Sequence, residues 1–327
     1  MRSVLNEVAT STIRSIRIHS TGGPETVFLD SVPPPEPAPG EVLVRVHAAG
    51  VNPLDWKIRE GLMGQLPMPR ALGCDFSGVI EAVGSEVSDF LLGQAVFGHS
   101  KFGGAFSEFI AVPVVGIAAK PLALDDLEAA ATPTAALTAW QALFDVAGLQ
   151  SGHRVLIHGG AGGVGMFATQ FALRAGAWVA ATSSARNLSA LRTLGVNQAI
   201  DYNATRFEEV VKSVDIVLDL VGGQTLERSW RILKVGGRLV STVSTPSPAM
   251  ALLCGVRAFF VQMQTSGEQL AMIGDIIANG EIKVMVERVM SFERASEALE
   301  LSRRSHARGK IVLTMQEEAH HEQHSAE

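Results

Sequence analysis

Residues 159–165 read GGAGGVG, and Gly160, Gly162 and Gly165 within them satisfy the G-x-G-x-x-G spacing. Glycines at these intervals let the backbone turn tightly and come close to a diphosphate. The free N–H groups that open a following helix offer that diphosphate partial positive charge. In a chain with 32 glycines the spacing alone says little, but its setting says more. Residues 154–158 (RVLIH) read as a buried strand and residues 164–175 as a helix, the order a dinucleotide site requires. Gly160, Ala161, Gly162, Gly163, Val164 and Gly165 therefore form the candidate diphosphate loop. The plainer alternative is a glycine-rich turn that only closes a βα unit.

The end of the next strand narrows the dinucleotide. NAD sites place Asp or Glu there, about 20 residues on, to bond the ribose 2′-OH. Here that place is Thr182-Ser183-Ser184. No carboxylate occurs from Met166 to Ile200, whereas Arg174, Arg186 and Arg192 do. Hydroxyls at Ser183 and Ser184, with the cation of Arg186 just beyond, suit a 2′-phosphate that a carboxylate would repel. The residues point to NADP(H) over NAD, against the simpler account that Arg186 sits on a solvated face.

Such a loop must be held by a packed scaffold. The 327 residues, 47% hydrophobic and 18% charged, suggest about two domains with sizeable cores. A formal net charge of −6 and the lack of a long basic run argue against nucleic acid as a partner. Two cysteines, Cys74 and Cys254, are too few for a disulfide scaffold or a four-cysteine zinc site. The richest apolar stretch, 249–261, is short and broken by Arg257, so no membrane span is expected. Residues 1–18 lack the apolar centre of a secretory signal, which leaves the cytoplasm as the expected location.

From Arg154 onward, apolar runs at 155–158, 178–182, 199–202, 215–221 and 238–243 alternate with helical text at 164–175, 189–194, 207–212 and 225–233. That alternation predicts an α/β fold, a Rossmann doubly wound parallel sheet with helices on both faces. A last strand is expected at 258–263 (AFFVQM). Earlier, residues 14–19, 41–49, 73–83 and 105–112 read as strands of a β-rich, barrel-like unit, after a stiff PPPEPAP connector at 33–39. Residues 125–148 read as two helical pieces divided near Pro133. Past the Rossmann pattern, a helix at 268–279, another at 292–303 and a closing strand at 310–315 are expected to return to the first unit. Residues 1–11 read as a disordered leader, and the His-rich 319–327 as a frayed end in preference to a metal site.

At this point the sequence resembles the medium-chain dehydrogenase/reductase superfamily, and within it the zinc-independent quinone oxidoreductase (zeta-crystallin-like) branch. The resemblance runs from about Arg14 to Met315. It is carried by GVNPLDWKIREG (50–61), GCDFSGVIEAVG (73–84), GGAFSEF (103–109), LTAWQAL (137–143), VLIHGGAGGVG (155–165), IDY (200–202) and ARGKIVL (307–313). It implies a GroES-like β-rich substrate domain, discontinuous in sequence over 14–125 and 281–315, around a Rossmann NADP-binding domain at 126–280. Residues 1–13 and 316–327 are then leader and flexible tail, and the active site lies between the domains.

The resemblance also assigns residues. Asn52 stands where the zinc-dependent alcohol dehydrogenases carry a cysteine after Gly-Val, and Gly73-Cys74-Asp75 replaces their Gly-His-Glu. Both usual ligands are gone, so no metal is expected. Without a Lewis acid, alcohol oxidation is disfavoured, whereas quinones and activated C=C bonds already delocalise the incoming charge. Asn52 is implied at the substrate end, near the nicotinamide ribose, as a hydrogen-bond donor; its plainer reading is the turn residue of Asn-Pro. Thr138 is implied to face the nicotinamide and Tyr202 the adenosine phosphate, with Val221 and Val243 completing the coenzyme set. Trp56, Phe259 and Phe260 form the expected substrate pocket. Asp55 and Lys57, flanking Trp56, are candidates to relay a proton, with solvated surface as the plainer and preferred reading. His158 is expected to hold a hydrogen bond beneath the glycine loop. The edge strand at 258–263 implies a homodimer. The expected activity is NADPH-dependent, zinc-independent delivery of hydride to a small quinone or α,β-unsaturated carbonyl. An enoyl-thioester reductase and a non-catalytic NADPH-binding sensor or scaffold are the alternatives.

Overall fold

The computed structural model describes residues 12–304 and 308–315. The tail at 316–327, with its histidines, and the leader up to residue 11 lie outside the described residues. The N-terminal unit contains β1 (Ile13–Ile18), β2 (Val27–Val32), β3 (Glu41–Val51), β4 (Arg70–Ala71), β5 (Asp75–Val83), β6 (Ala95–His99), β7 (Phe109–Pro113) and β8 (Ile117–Ala119). A small sheet runs in the order β2-β1-β4, and a larger antiparallel one follows β3-β5-β6-β8, with β7 also on β3. In β3, Val42, Val44 and Val46 are all buried while Arg45 is exposed, as period-two alternation requires.

The second unit contains β9 (Arg154–His158), β10 (Trp178–Ser183), β11 (Gln198–Asp201), β12 (Val214–Asp219), β13 (Leu233–Ser241) and β14 (Arg257–Phe260). They are parallel and lie in the order β11-β10-β9-β12-β13-β14, the doubly wound arrangement. Both faces are covered. Val155, Ile157, Val179 and Leu218 enter one core, and Leu156, Ala180, Val217 and Leu239 enter the other. The chain then returns: β15 (Val286–Ser291) and β16 (Lys310–Thr314) extend the larger N-terminal sheet, with β16 antiparallel to β3 and Ile311 opposite Val51.

The two helical pieces at 125–148 are Asp126–Ala131 and Pro133–Trp140, followed by a wider turn at Gln141–Val146. The carboxylate of Asp125 caps the first by accepting from the Glu128 N–H at 2.7 Å. Pro133 ends it and opens the next, where its missing N–H costs nothing. Ala130 and Ala131 let the first helix lie close on the sheet of β3 and β16, beside Ala48 and Val312.

Several strand ends differ from the sequence reading. The strand expected from 73 starts at Asp75, because Gly73 takes φ +82 and turns the chain. Ala105 and Phe106 bond to Gly73 O and Leu72 O, so the strand expected from 105 starts at Phe109. The strand expected over 258–263 ends at Phe260 and is the edge of its sheet. β8 and the helices Pro53–Arg59 and Pro248–Cys254 are too short to give a periodic signal, and β2, with Phe28 and Leu29 both exposed, does not alternate. No helix among the described residues is long and apolar enough to cross a membrane.

Candidate active site

β9 delivers the glycine loop and the helix Gly163–Arg174 carries it away. Gly160 N–H donates to Thr182 O (2.9 Å) and Gly162 N–H to Gly159 O (3.0 Å), which folds the loop over the sheet end. The glycines serve different ends. A Cβ at Gly165 would stand 2.1 Å from Gly159 O, and one at Gly160 would stand 2.7 Å from the Ala181 Cβ. Those positions need glycine for the fold itself. A Cβ at Gly162 would meet only Gly159 O, at 3.4 Å, so the fold leaves room there. No side chain caps the helix at Gly162, which leaves first-turn N–H groups without a side-chain partner. These features fit a dinucleotide diphosphate.

Beneath the loop, His158 is fully buried, with Nε2 2.9 Å from Ser229 Oγ and its ring edge-on to Phe207. Burial, aided by the Arg228 cation, pulls its pKa down to about 3. It is a neutral strut, which agrees with the sequence expectation.

At the end of β10, Ser183 is buried and its hydroxyl donates to Ser184 O at 3.2 Å. Tyr202 N–H donates to Ser183 O (3.2 Å), bringing the exposed Tyr202 ring beside this strand end. Arg186 is exposed, on the short turn after Ser184. Asp201, opposite Ser183 in β11, is the nearest carboxylate along the sheet, and it accepts from the Asn203 N–H (3.0 Å). Val221 lies against Gly159, and Val243 against Gly222, on the next part of the rim. Asp219, which sequence reasoning missed, shapes that rim. Its buried carboxylate accepts from Val221 N–H, Gly222 N–H and Ser241 Oγ.

Asn52 caps the helix Pro53–Arg59 and is buried, with 3% exposure. Its Nδ2 donates to Asp75 Oδ2 (2.9 Å), and its Oδ1 accepts from Lys310 Nζ (2.5 Å). Asp75 also accepts from the N–H and hydroxyl of Thr134 (3.1 and 2.5 Å) at the head of the helix Pro133–Trp140. One turn on, Thr138 donates its hydroxyl to Thr134 O (2.6 Å). A single carboxylate thus ties Asn52 of the N-terminal unit to the helix that carries Thr138.

Asp55 corrects an expectation. It is not solvated surface but fully buried, accepting from Asn52 N–H (2.8 Å) and Gly73 N–H (3.2 Å). Burial, reinforced by the nearby charge of Asp75, pushes its pKa up to about 7, although those two N–H donors and Lys310 oppose the rise. Neighbouring Cys74 is buried, and burial raises its thiol pKa well above the ordinary value. It packs in the core. Among the described residues no group of three or more His, Cys, Asp or Glu side chains is disposed to hold a metal.

Trp56 and the two phenylalanines are not drawn into one cluster. Trp56 packs on the core of the N-terminal unit with the Lys57 ammonium over its ring, whereas Phe259 packs on the Rossmann core and Phe260 is partly exposed on β14. Sequence reasoning also missed Asp75 and Lys310 as site residues. Asp55, three residues after an Asn-Pro helix start, has capping-box spacing, and Lys310 heads an otherwise apolar strand; both were available signals.

The pattern of the family described as "Alcohol dehydrogenase GroES-like domain" matches residues 38–121, and that of "Zinc-binding dehydrogenase" matches residues 194–313. The 2-methylene-furan-3-one reductase of Solanum lycopersicum is 33% identical over 307 residues, covering 89% of this chain and 76% of its own. The structure of the quinone oxidoreductase from Coxiella burnetii superposes with a TM-score of 0.87 at 34% identity, covering 93% of this chain and 100% of that one. The Escherichia coli quinone oxidoreductase complexed with NADPH gives a TM-score of 0.86 at 28% identity, covering 92% and 99%.

Proposed function

The chain belongs to the medium-chain dehydrogenase/reductase superfamily, in its zinc-independent quinone oxidoreductase branch, and from that premise we propose that it is an NADPH-dependent, metal-free reductase of quinones or α,β-unsaturated carbonyls. The observation that carries the reading is the uncapped helix start behind Gly162, with open space at the glycine and a β10 end that carries hydroxyls where NAD sites carry an acid. The Escherichia coli relative, solved with NADPH, supports the same coenzyme.

NADPH, when bound, supplies the hydride. The residues of this chain bind and orient. The diphosphate rests on the loop from Gly160 to Gly165, and the 2′-phosphate on Ser183, Ser184 and Arg186, with Tyr202 beside them. Val221, Val243 and Thr138 line the way to the nicotinamide. Asn52 offers an N–H to the acceptor oxygen, where charge develops as the carbonyl becomes an enolate or phenolate. Water supplies the last proton. A Lys310 ammonium already touches the Asn52 amide that replaces the zinc-branch cysteine, which opposes a dication there. Trp56, one turn along the helix that Asn52 caps, is the aromatic side chain nearest in sequence to that donor. We place the protein in the cytoplasm as a homodimer, with the free edge of β14 paired to its mate.

The test is coenzyme oxidation at 340 nm with NADPH and NADH in parallel against 1,4-benzoquinone, an enone, an enal and a crotonyl thioester. Turnover of the quinone or the enone with NADPH preferred is expected. Preference for the thioester reassigns the acceptor. Quenching on NADPH addition without turnover of any acceptor overturns the enzymatic reading.

A further inference from the structure

Lys310 is 5% exposed at the first position of β16. A buried ammonium is costly unless it is fully partnered. Its Nζ donates to Asn52 Oδ1 (2.5 Å) and Val51 O (3.0 Å) and lies 3.7 Å from Asp75 Oδ2. The adjoining backbone reaches the other half of the site. Gly309 N–H donates to Ala161 O (3.1 Å), and Gly309 bridges Gly162. A Cβ on Gly163 would stand 3.0 Å from Lys310 Cδ. One dipeptide therefore touches the diphosphate loop with its backbone and Asn52 with its side chain.

An amide has one accepting and one donating end, and the two look alike to a neighbour that can do both. Here neither neighbour can. The Asp75 carboxylate, which accepts from Thr134, selects Nδ2; Lys310 Nζ, which donates also to Val51 O, selects Oδ1. A flipped amide would set its oxygen against a carboxylate and its NH2 against an ammonium. Nδ2 carries two hydrogens, and Asp75 takes one. We propose that Lys310 is a positioning residue for the reaction: it locks the Asn52 amide so that the second Nδ2 hydrogen is offered to the acceptor oxygen. This role rests on the function proposed above.

Lys310→Met keeps the length of the side chain and removes the donor. At saturating acceptor, kcat should fall about tenfold or more, with the NADPH Kd changed less than about threefold. Asn52→Ala should show a comparable fall in kcat, and the double variant should be no slower than Asn52→Ala alone, because both changes remove one function. An unchanged kcat in Lys310→Met, or losses that multiply in the double variant, would overturn the proposal. A second measurement needs neither turnover nor a folded Lys310 variant. In protein labelled with 15N-asparagine, the side-chain pair lost in Asn52→Ala should show two different exchange rates, slow for the hydrogen held by Asp75 and faster for the one left to the acceptor. One common rate for both hydrogens in the wild type, the mark of an amide that flips, overturns the lock. Absence of wild-type turnover defeats the proposed function alone, and the amide signals still decide the role of Lys310.

Discussion

Gly162→Ala separates the two reasons a loop can need glycine. At this residue φ is −78 and ψ 176, values any L-residue adopts. The new methyl would meet only Gly159 O, at 3.4 Å, an ordinary contact. The folded chain should accept it, and the smaller entropy of the unfolded chain adds about 0.4–1 kcal/mol of stability. The unfolding midpoint should therefore hold or rise slightly. Coenzyme binding should not hold. The methyl occupies the approach of the diphosphate and breaks at least one hydrogen bond to a charged oxygen, worth about 1.5–3 kcal/mol. At about 1.4 kcal/mol per decade, the NADPH Kd should rise roughly 10- to 150-fold. Gly165→Ala is the contrast. Its methyl would stand 2.1 Å from Gly159 O, well inside contact distance, so the loop or the helix must move. That change should cost about 1–3 kcal/mol of stability, along with binding. Thermal unfolding and titration of NADPH fluorescence read both variants. Gly162→Ala binding NADPH as tightly as wild type would refute the reasoning, because the open space at that glycine would then serve no ligand.

Arg186→Glu should weaken NADPH binding about tenfold or more while leaving NADH within about twofold, since only one coenzyme carries the 2′-phosphate; parallel titrations check it, and an equal loss for both denies Arg186 that role. Asp55 predicts a pH dependence of stability. Its folded-state pKa, about 7, lies above the ordinary 3.8. The native state thus holds more protons than the unfolded state between those values. Its stabilising contribution is complete below about pH 4 and is lost as pH rises through 7, at up to about 1.4 kcal/mol per pH unit. Urea unfolding at pH 5, 6 and 7 should show that decline in the wild type and a flatter profile in Asp55→Asn; identical slopes would contradict it.

Much of the fold was legible because its causes are local. Strands such as Val155–His158 announce themselves by apolar runs, β3 by alternating valines, and the diphosphate loop by glycines whose spacing follows from backbone geometry within seven residues. Pro133 marks a helix break wherever it stands. The return of the closing strand to the first sheet followed from the change of texture after Gly280 together with the family resemblance. The short elements were lost because one or two turns of helix, or three residues of strand, carry no period.

The centre of the site was hidden for a different reason. Asn52, Asp75, Thr134 and Lys310 come from a helix start, two strands and a second helix, and the amide stands 258 positions from the ammonium that holds it. In sequence, Lys310 looks like Lys57, and Asp55 like any acid beside a surface tryptophan. Sequence by itself determined the parallel sheet, its glycine loop and the acid-free end of β10. Only the tertiary structure decided which charges are buried. A buried charge survives through partners that solvate it in place of water, and β16 finds those partners only by pairing with β3.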